Sequence, residues 1–559
     1  MMTTITHKRR PEGQWAVDGH DPLNANEVFK AADNGLHVRE RVLTEYAKKG
    51  FKSIPDDDLN GRLRWWGVYT QRKQGISGGR TGTVAPEDLN DSHFLMRVRI
   101  DGQPITTRQL RVLAGISTEF ARGSADITDR QNLQLHWIDI ESIPEIWRRL
   151  EAVGLTTVQA CGDTPRSFLV SPVAGVAADE IIDPLPVAKA IRERYIGREE
   201  ISNLPRKFKT AMTGSPSLDV LHEINDISFV GVVHPELGPG FDLWAGGALS
   251  VAPKLGKRLG AFVTQEQAPE VWFAMIRLFR EYGYRRLRAK ARLKFLMADW
   301  GPEKFRQVLQ DEFLGYQLPD GPAPAQPTGP SDHIGVHDQK NGKKFVGFAP
   351  VVGRLSGGML GDIATAAEAA GSHRVTFTPQ QKLVVLDVYK TKVNKLLSTM
   401  EDIGLTANPG PFRRATLACT GLEYCKFAFV ETKALARRTI EDLDRRFEGV
   451  ELPAPITLNI NGCPNSCARI QIADIGLKGQ VAPDDAGKTQ FYFQVHLGGG
   501  LESLDRGEAG LGRTLRGLKI SVKELPDYVE RVTRSFLAER SSDETFAQWV
   551  QRAEEDSLR

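Results

Sequence analysis

Five cysteines pose the first chemical question in this 559-residue chain: Cys161, Cys419, Cys425, Cys463 and Cys467. Four of them form two pairs, Cys-x5-Cys in CTGLEYC and Cys-x3-Cys in CPNSC. Zinc sites generally use tighter hooks, and a redox dithiol would show Cys-x-x-Cys, so both spacings fit those readings poorly. Four thiolates on looser loops suit a cubane iron–sulfur cluster, whose irons are spread over a larger object than one ion. The spacing therefore favours a cluster over zinc, with buried unligated cysteines as the third reading. Pro464 and Asn465 fit a tight turn that aims Cys463 and Cys467 the same way.

Cations and hydrogen-bonding residues gather in the other half. LMRVRI carries Arg97 inside an apolar run, CGDTPRSF carries Arg166, and LPRKFK carries Arg206, Lys207 and Lys209. Each alone reads best as a surface ion pair; together they could line a pocket for a polyanion. Read as one strand, ITDRQNLQLHW (127–137) puts Thr128, Arg130, Asn132, Gln134 and His136 on one face. An exposed face would show more Lys and Glu, so a polar ligand against this face is the sharper expectation.

These residues must be positioned by a duplicated chain. ITDRQNLQLHW (127–137) aligns with FTPQQKLVVLD (377–387), ITTRQLRVLA (105–114) with LSGGMLGDIA (355–364), and GLT (154–156) with GLT (404–406), all at an offset of 250 residues. Each half opens with a strand, HFLMRVRI or KFVGFAPVV, and continues helix, strand, helix. The expected fold class is α+β: mixed α/β halves related by pseudo-twofold symmetry. The predicted division is an N-terminal arm without counterpart in the second half (1–80), first central half (81–155), first lobe (156–317), Pro-rich linker (318–344), second central half (345–405) and second lobe (406–559).

Apolar residues at 41%, charged residues at 26% and a net charge of +3 describe an ordinary soluble protein and name no charged partner. The start of the chain lacks the apolar stretch of a secretory signal, and no run is long and apolar enough to span a membrane. A cytoplasmic location follows as the expectation, where thiols stay reduced.

The two cysteine motifs, LPRKFK, TDRQNLQLHW and the duplication resemble the sirohaem- and 4Fe-4S-dependent sulfite and nitrite reductases, from about residue 60 to the C-terminus. The resemblance implies their three-domain architecture, with cofactors at the interface. It implies that Cys419, Cys425, Cys463 and Cys467 hold a 4Fe-4S cluster and that Cys467 also ligates the sirohaem iron. Thr128, Arg130, Asn132, Gln134, His136, Arg206 and Asn465 match cofactor contacts, and Arg97, Arg166, Lys207 and Lys209 match the cations around the substrate. The implied reaction is the six-electron reduction of sulfite to sulfide; reduction of nitrite to ammonia is the alternative. In this family the LPRK motif tends to close on lysine in sulfite reductases and on asparagine in plant-type nitrite reductases, so Lys209 favours sulfite.

No Gly-x-Gly-x-x-Gly follows a strand, so electrons are expected from a separate protein, ferredoxin ahead of a flavoprotein. The chain is expected to work as a monomer. The basic run RRLRAKARLK (285–294) is read as a solvated helix face carrying Arg285, Arg288 and Arg292, with docking or cofactor contact as alternatives; nucleic acid is not expected. The unassigned thiol Cys161 lies five residues before Arg166, and Tyr69 belongs to a segment that the resemblance brings to the same region. The two are expected to approach each other and tune the site, or become oxidatively linked.

Overall fold

A computed structural model describes residues 11–327, 329–483, 487–501 and 510–559. Among them are four five-stranded sheets. The first central sheet runs Val68–Arg72, Asn90–Val98, Leu133–Ile138, Ser124–Ile127 and Arg354–Ser356, antiparallel throughout. The second runs Gly335–Asp338, Lys344–Phe348, Leu383–Val388, Arg374–Phe377 and Ile105–Thr106. The last strand of each comes from the other half of the chain, so the duplicated halves exchange an edge strand.

The helices that follow those exchanged strands, Thr107–Phe120 and Gly357–Ala369, pack against each other. Gly357 permits the close approach: a Cβ there would lie 2.5 Å from Thr118 Oγ1. Leu110, Leu113 and Ile116 share one core with Leu360, Ile363 and Ala367, and burial of each large apolar side chain there contributes about 1.5–3 kcal/mol.

The two lobes repeat one topology. Leu169–Val170, Thr210–Thr213, Ile227–His234, Gly238–Ala245 and Lys257–Val263 pair parallel, parallel, antiparallel, antiparallel. Thr416–Ala418, Leu458–Asn461, Ile475–Pro483, Thr489–Leu497 and Lys519–Ser521 pair in the same sequence. No helix among the described residues is long and apolar enough to cross a membrane.

Four expectations change. The stretch 127–137 is a hairpin rather than one strand. The Thr128 N–H donates to Asn132 O at 2.9 Å, and Gln131 sits at φ 54°. The Thr128 hydroxyl accepts from the Arg130 and Asn132 N–H groups, so its side chain supports the turn. The copy at 377–387 turns the same way, with Gln381 at φ 57°. Period-two alternation therefore holds only beyond residue 132.

Second, one strand of the arm has a counterpart: Val68–Arg72 edges the first central sheet as Gly335–Asp338 edges the second. Third, the latter strand lies within the span read as linker. Just before it, the Asp332 carboxylate accepts from Arg414 of the second lobe at 2.6 and 2.9 Å. His333 Nε2 meets Asp219 of the first lobe at 2.7 Å. The end of the linker is thus fastened to both lobes.

Fourth, the basic run is no solvated helix face. It is irregular apart from one turn, Arg288–Lys290, before the helix Leu293–Val308 begins. Arg285 is 2% exposed and pairs with Glu27 at 3.0 Å; Arg288 pairs with Asp163, and Arg292 with Asp226 at 2.8 Å. The arm closes over this run: the Glu12 carboxylate accepts from the Arg285 and Arg286 N–H groups, both at 2.7 Å. Glu27 also pairs with buried Lys30 at 2.7 Å. Removing one partner of a buried pair leaves uncompensated charge, at about 3–5 kcal/mol. Glu27→Ala is expected to lower unfolding stability by about that amount. Denaturant titration checks this, and a loss below about 1 kcal/mol, the range of a surface pair, would contradict it.

Candidate functional site

The site is assembled where two loops leave adjacent parallel strands. Thr416–Ala418 and Leu458–Asn461 run in the same direction, so the loops after them emerge side by side. Cys419 directly follows the first strand; Cys463 and Cys467 lie in the loop after the second. The Cys419 N–H donates to Ile460 O at 3.1 Å, and the Gly462 N–H donates to Cys419 Sγ at 3.3 Å. Buried Asn461 shapes the second loop: its Nδ2 donates to Cys463 O at 2.5 Å and its Oδ1 accepts from the Ala468 N–H at 2.9 Å. Ser466 (φ 54°) and Arg469 (φ 58°) take left-handed conformations that curl the chain around Cys467.

Burial pushes Cys425 up to about 11 and Cys419 up to about 12, and the charge of Cys467 adds to both. Cys463 is raised by burial and then by Cys467, Cys425 and Cys419. The four thiols thus feel each other. Yet among the described residues no three Cys, His, Asp or Glu side chains close on a single ion.

The first half faces this group with cations. Arg97, Arg130, Arg166, Lys207 and Lys209 are all half-buried. Burial, then Lys209, Arg292 and Arg166, holds Lys207 well below the ordinary lysine range, while Cys467 opposes the shift. Burial, then Arg130 and Arg292, brings Lys209 down to about 7. Burial opposes Arg97, but Tyr69, Cys161, Asp129 and Cys467 outweigh it and raise its pKa. Cys467, the one exposed cysteine of the five, therefore acts on Arg97 and Lys207 across the junction of the halves.

Direct bonds cross the same junction. Arg97 Nη2 donates to Tyr69 Oη at 2.9 Å and Gln134 Oε1 at 3.1 Å; Gln134 Nε2 donates to Thr420 Oγ1 at 3.1 Å, beside Cys419. His136, fully buried, stacks on Tyr424 at 3.6 Å between ring centroids, with Nε2 3.4 Å from Asp126 Oδ2. Asn132 Oδ1 accepts from the Ile100 N–H at 3.2 Å. Arg130 donates to Asn225 Oδ1 at 3.0 Å and Ser167 O at 2.6 Å. Arg206 leans toward Asp163 at 3.8 Å, and Asn465 is exposed on the Cys463–Cys467 loop.

Tyr69 and Cys161 share this surrounding. Burial lifts the Tyr69 phenol to about 12, Cys161 adding to the rise and Arg97 opposing it. Burial alone would raise Cys161, but Arg166, Arg97 and Arg64 bring it down to about 7.

Two further cations belong here. Arg292 acts on both Lys207 and Lys209; its signal was present in the sequence but hidden by the helical reading of the basic run. Arg469 is 4% exposed, donates to Pro379 O at 2.7 Å, and leaves Nε and Nη1 without a partner. Its only sequence signal is its position two residues after Cys467. The Nε atoms of Arg97, Arg130 and Arg292 are likewise buried and unpartnered. Unpaired buried donors at this density call for a bound anion.

A consequence is measurable without any bound group. Lys209 has a folded pKa of about 7 against the ordinary 10.5, and buried Lys382 behaves alike. Between those values the unfolded chain holds more protons, so stability rises with pH, on the order of 1 kcal/mol per pH unit for each lysine. Above 9.0, the ordinary thiol value, raised Cys419 and Cys425 oppose the trend. Chain stripped of metal and cofactor is expected to resist denaturant better at pH 9 than at pH 7; flat or falling stability across that window would contradict it.

Known proteins align with this geometry. The model of the nitrite and sulphite reductase 4Fe-4S domain matches residues 161–316 and 409–559, and that of the nitrite/sulfite reductase ferredoxin-like half domain matches 87–153 and 337–403. The chain is 54% identical to a sulfite reductase (ferredoxin) of Mycobacterium tuberculosis, covering 100% of each. It is 33% identical to a ferredoxin–nitrite reductase of Synechococcus elongatus, over 93% of this chain and 97% of that one. The solved structure of the Mycobacterium tuberculosis NirA protein superposes with a TM-score of 0.95 at 54% identity, covering 98% of this chain and 100% of that one. With both domain types matched twice and the cysteine loops meeting the cationic half, the chain belongs to the nitrite and sulphite reductase family.

Proposed function

We propose that this protein is a ferredoxin-dependent sulfite reductase that takes sulfite to sulfide with six electrons. The observation that carries the reading is the convergence of Arg97, Lys207 and exposed Cys467 from opposite halves of the chain, amid buried cations with unpartnered donors. That environment fits a polycarboxylate sirohaem with Cys467 as iron ligand. The four cysteines that influence one another, with two loops leaving adjacent parallel strands, fit a 4Fe-4S cluster held by Cys419, Cys425, Cys463 and Cys467. When bound, these groups supply single electrons and an iron position open to a small oxyanion.

The chain's own residues supply the rest. Arg97 and Arg166 offer rigid forks for sulfite oxygens, and their charge stabilises negative charge in the reaction. Lys207 and Lys209 hold transferable protons at Nζ; both have lowered pKa values that ease release, Lys209 down to about 7. Arg130, Arg206 and Arg469 balance cofactor carboxylates; Thr128, Asn132, Gln134 and His136 hold the hairpin and cysteine loop in register beside them, and Asn465 contacts the cofactor. Ferredoxin is the donor carried in the names of the relatives, and the working arrangement is a cytoplasmic monomer divided as above, except that Val68–Arg72 joins the first central half and Gly335–Asp338 the second.

Nitrite is the second reading, supported by the 33% identical nitrite reductase. Lys209 favours sulfite, since the extra cation suits the larger, more negative anion. Purified holoenzyme is expected to absorb strongly in the visible and to contain iron and acid-labile sulfide; colourless, iron-free protein would overturn the reading. Lys209→Asn is expected to cut sulfite turnover by about 10²-fold, the scale of one lost transition-state donor, and nitrite turnover less. An unchanged preference ratio with reduced ferredoxin would count against Lys209 as the discriminator.

Tyr69 and Cys161 tune the same pocket, the thiol lowered and the phenol bonded to Arg97. Peptide mapping of aerobically purified protein is expected to find them joined, the new C–S bond replacing one S–H and one ring C–H, with dioxygen taking the two electrons and two protons as hydrogen peroxide. A free thiol with an unmodified Tyr69 peptide would dispose of the link.

A further inference from the structure

Arg72 ends the strand Val68–Arg72 and is 1% exposed. Its backbone N–H donates to Tyr424 O, next to Cys425, at 2.8 Å. Its guanidinium donors go to neutral oxygens: Nη2 to Ile76 O at 3.0 Å and Ser77 O at 3.1 Å, Nε to Ile76 O at 3.4 Å, and Nη1 to Thr81 Oγ1 at 3.1 Å and Lys426 O at 3.4 Å. Among the described residues no carboxylate pairs with it. Burial lowers its pKa, and Cys425 is the group that opposes the shift.

The segment that Arg72 organises is laced to the first cysteine loop. Gln74 Nε2 donates to Glu423 O at 2.8 Å and Thr81 Oγ1 to Ala428 O at 2.7 Å. Gly78 presses so closely that a Cβ would lie 1.7 Å from Phe429 O. A clamp of this kind needs only a donor of the right length. A permanently charged guanidinium, buried without a carboxylate, is an expensive way to make it. Its charge is explained if the neighbouring loop carries a compensating negative group.

We propose that Arg72 is a positioning residue of the 4Fe-4S centre: it binds residues 76–81 to the Cys419–Cys425 loop and places a fixed positive charge beside Cys425, which favours the reduced, more negative state. This rests on the reading of Cys425 as a cluster ligand. Because the guanidinium stays charged throughout the working pH range, its effect needs no proton exchange.

The test uses holoenzyme of wild type, Arg72→Gln and Arg72→Lys, with iron and acid-labile sulfide counted and the cluster potential read by EPR-monitored redox titration. Arg72→Gln is expected to move the potential to more negative values, with Arg72→Lys recovering most of the shift because it keeps the charge. If Arg72→Gln takes up little iron, retention of iron and potential by Arg72→Lys supports the role of charge. Equal iron loss in both variants, or an unshifted potential in iron-replete Arg72→Gln, would overturn the proposal and leave a purely mechanical clamp. Absence of any iron–sulfur signal in the wild type would instead overturn the reading of the four cysteines.

Discussion

Gln134 bridges the halves of the molecule where its chemistry is concentrated. Its amide oxygen accepts from Arg97, and its amide nitrogen donates to Thr420 beside Cys419. The first half brings positive charge and the second brings sulfur, and neither is comfortable alone. The cations are buried beyond what nearby carboxylates offset, and the thiols are buried where ionisation is costly. Cys467 offsets part of the cost of burying Arg97 and Lys207. The remaining imbalance is that of a site built around anionic guests.

Strand exchange makes this meeting obligatory. Ile105–Thr106 completes the second central sheet, and Arg354–Ser356 completes the first. The exchanged strands lead straight into the paired helices Thr107–Phe120 and Gly357–Ala369, whose apolar faces share one core. The lobes are therefore carried on a rigid common base. LPRKFK leads into the amino end of Thr210–Thr213 in one lobe, and the cysteine loops leave the carboxyl ends of Thr416–Ala418 and Leu458–Asn461 in the other. Asp332 on Arg414 and His333 on Asp219 hold the linker's end to both lobes.

The arm contributes apolar area, with Val38, Val42 and Leu63 in the central core, and it also contributes charge. Glu12 and Glu27 reach the irregular stretch after residue 282, where Arg285 pairs with Glu27, while Asp163 and Asp226 of the first lobe pair with Arg288 and Arg292. Arg292 then acts on the substrate-side lysines. A basic run that looked like a solvent face is thus part of the electrostatic foundation of the site, because opposing carboxylates came from distant segments.

Local residue type and spacing made much of this legible in the sequence. The constant repeat offset marked the duplication, the loose cysteine spacing disfavoured zinc, and LPRKFK with Arg97 and Arg166 marked the cationic pocket. Signals that depend on distant partners were illegible. The sequence could not tell that Thr128–Asn132 is a turn, since alternation looks alike in a strand and across a tight hairpin. The sequence by itself determined which groups could hold metal and anion. Tertiary structure alone decided that Arg292 and Arg469 join them, and that Cys467 faces Arg97, because burial and electrostatic coupling are set by through-space distance.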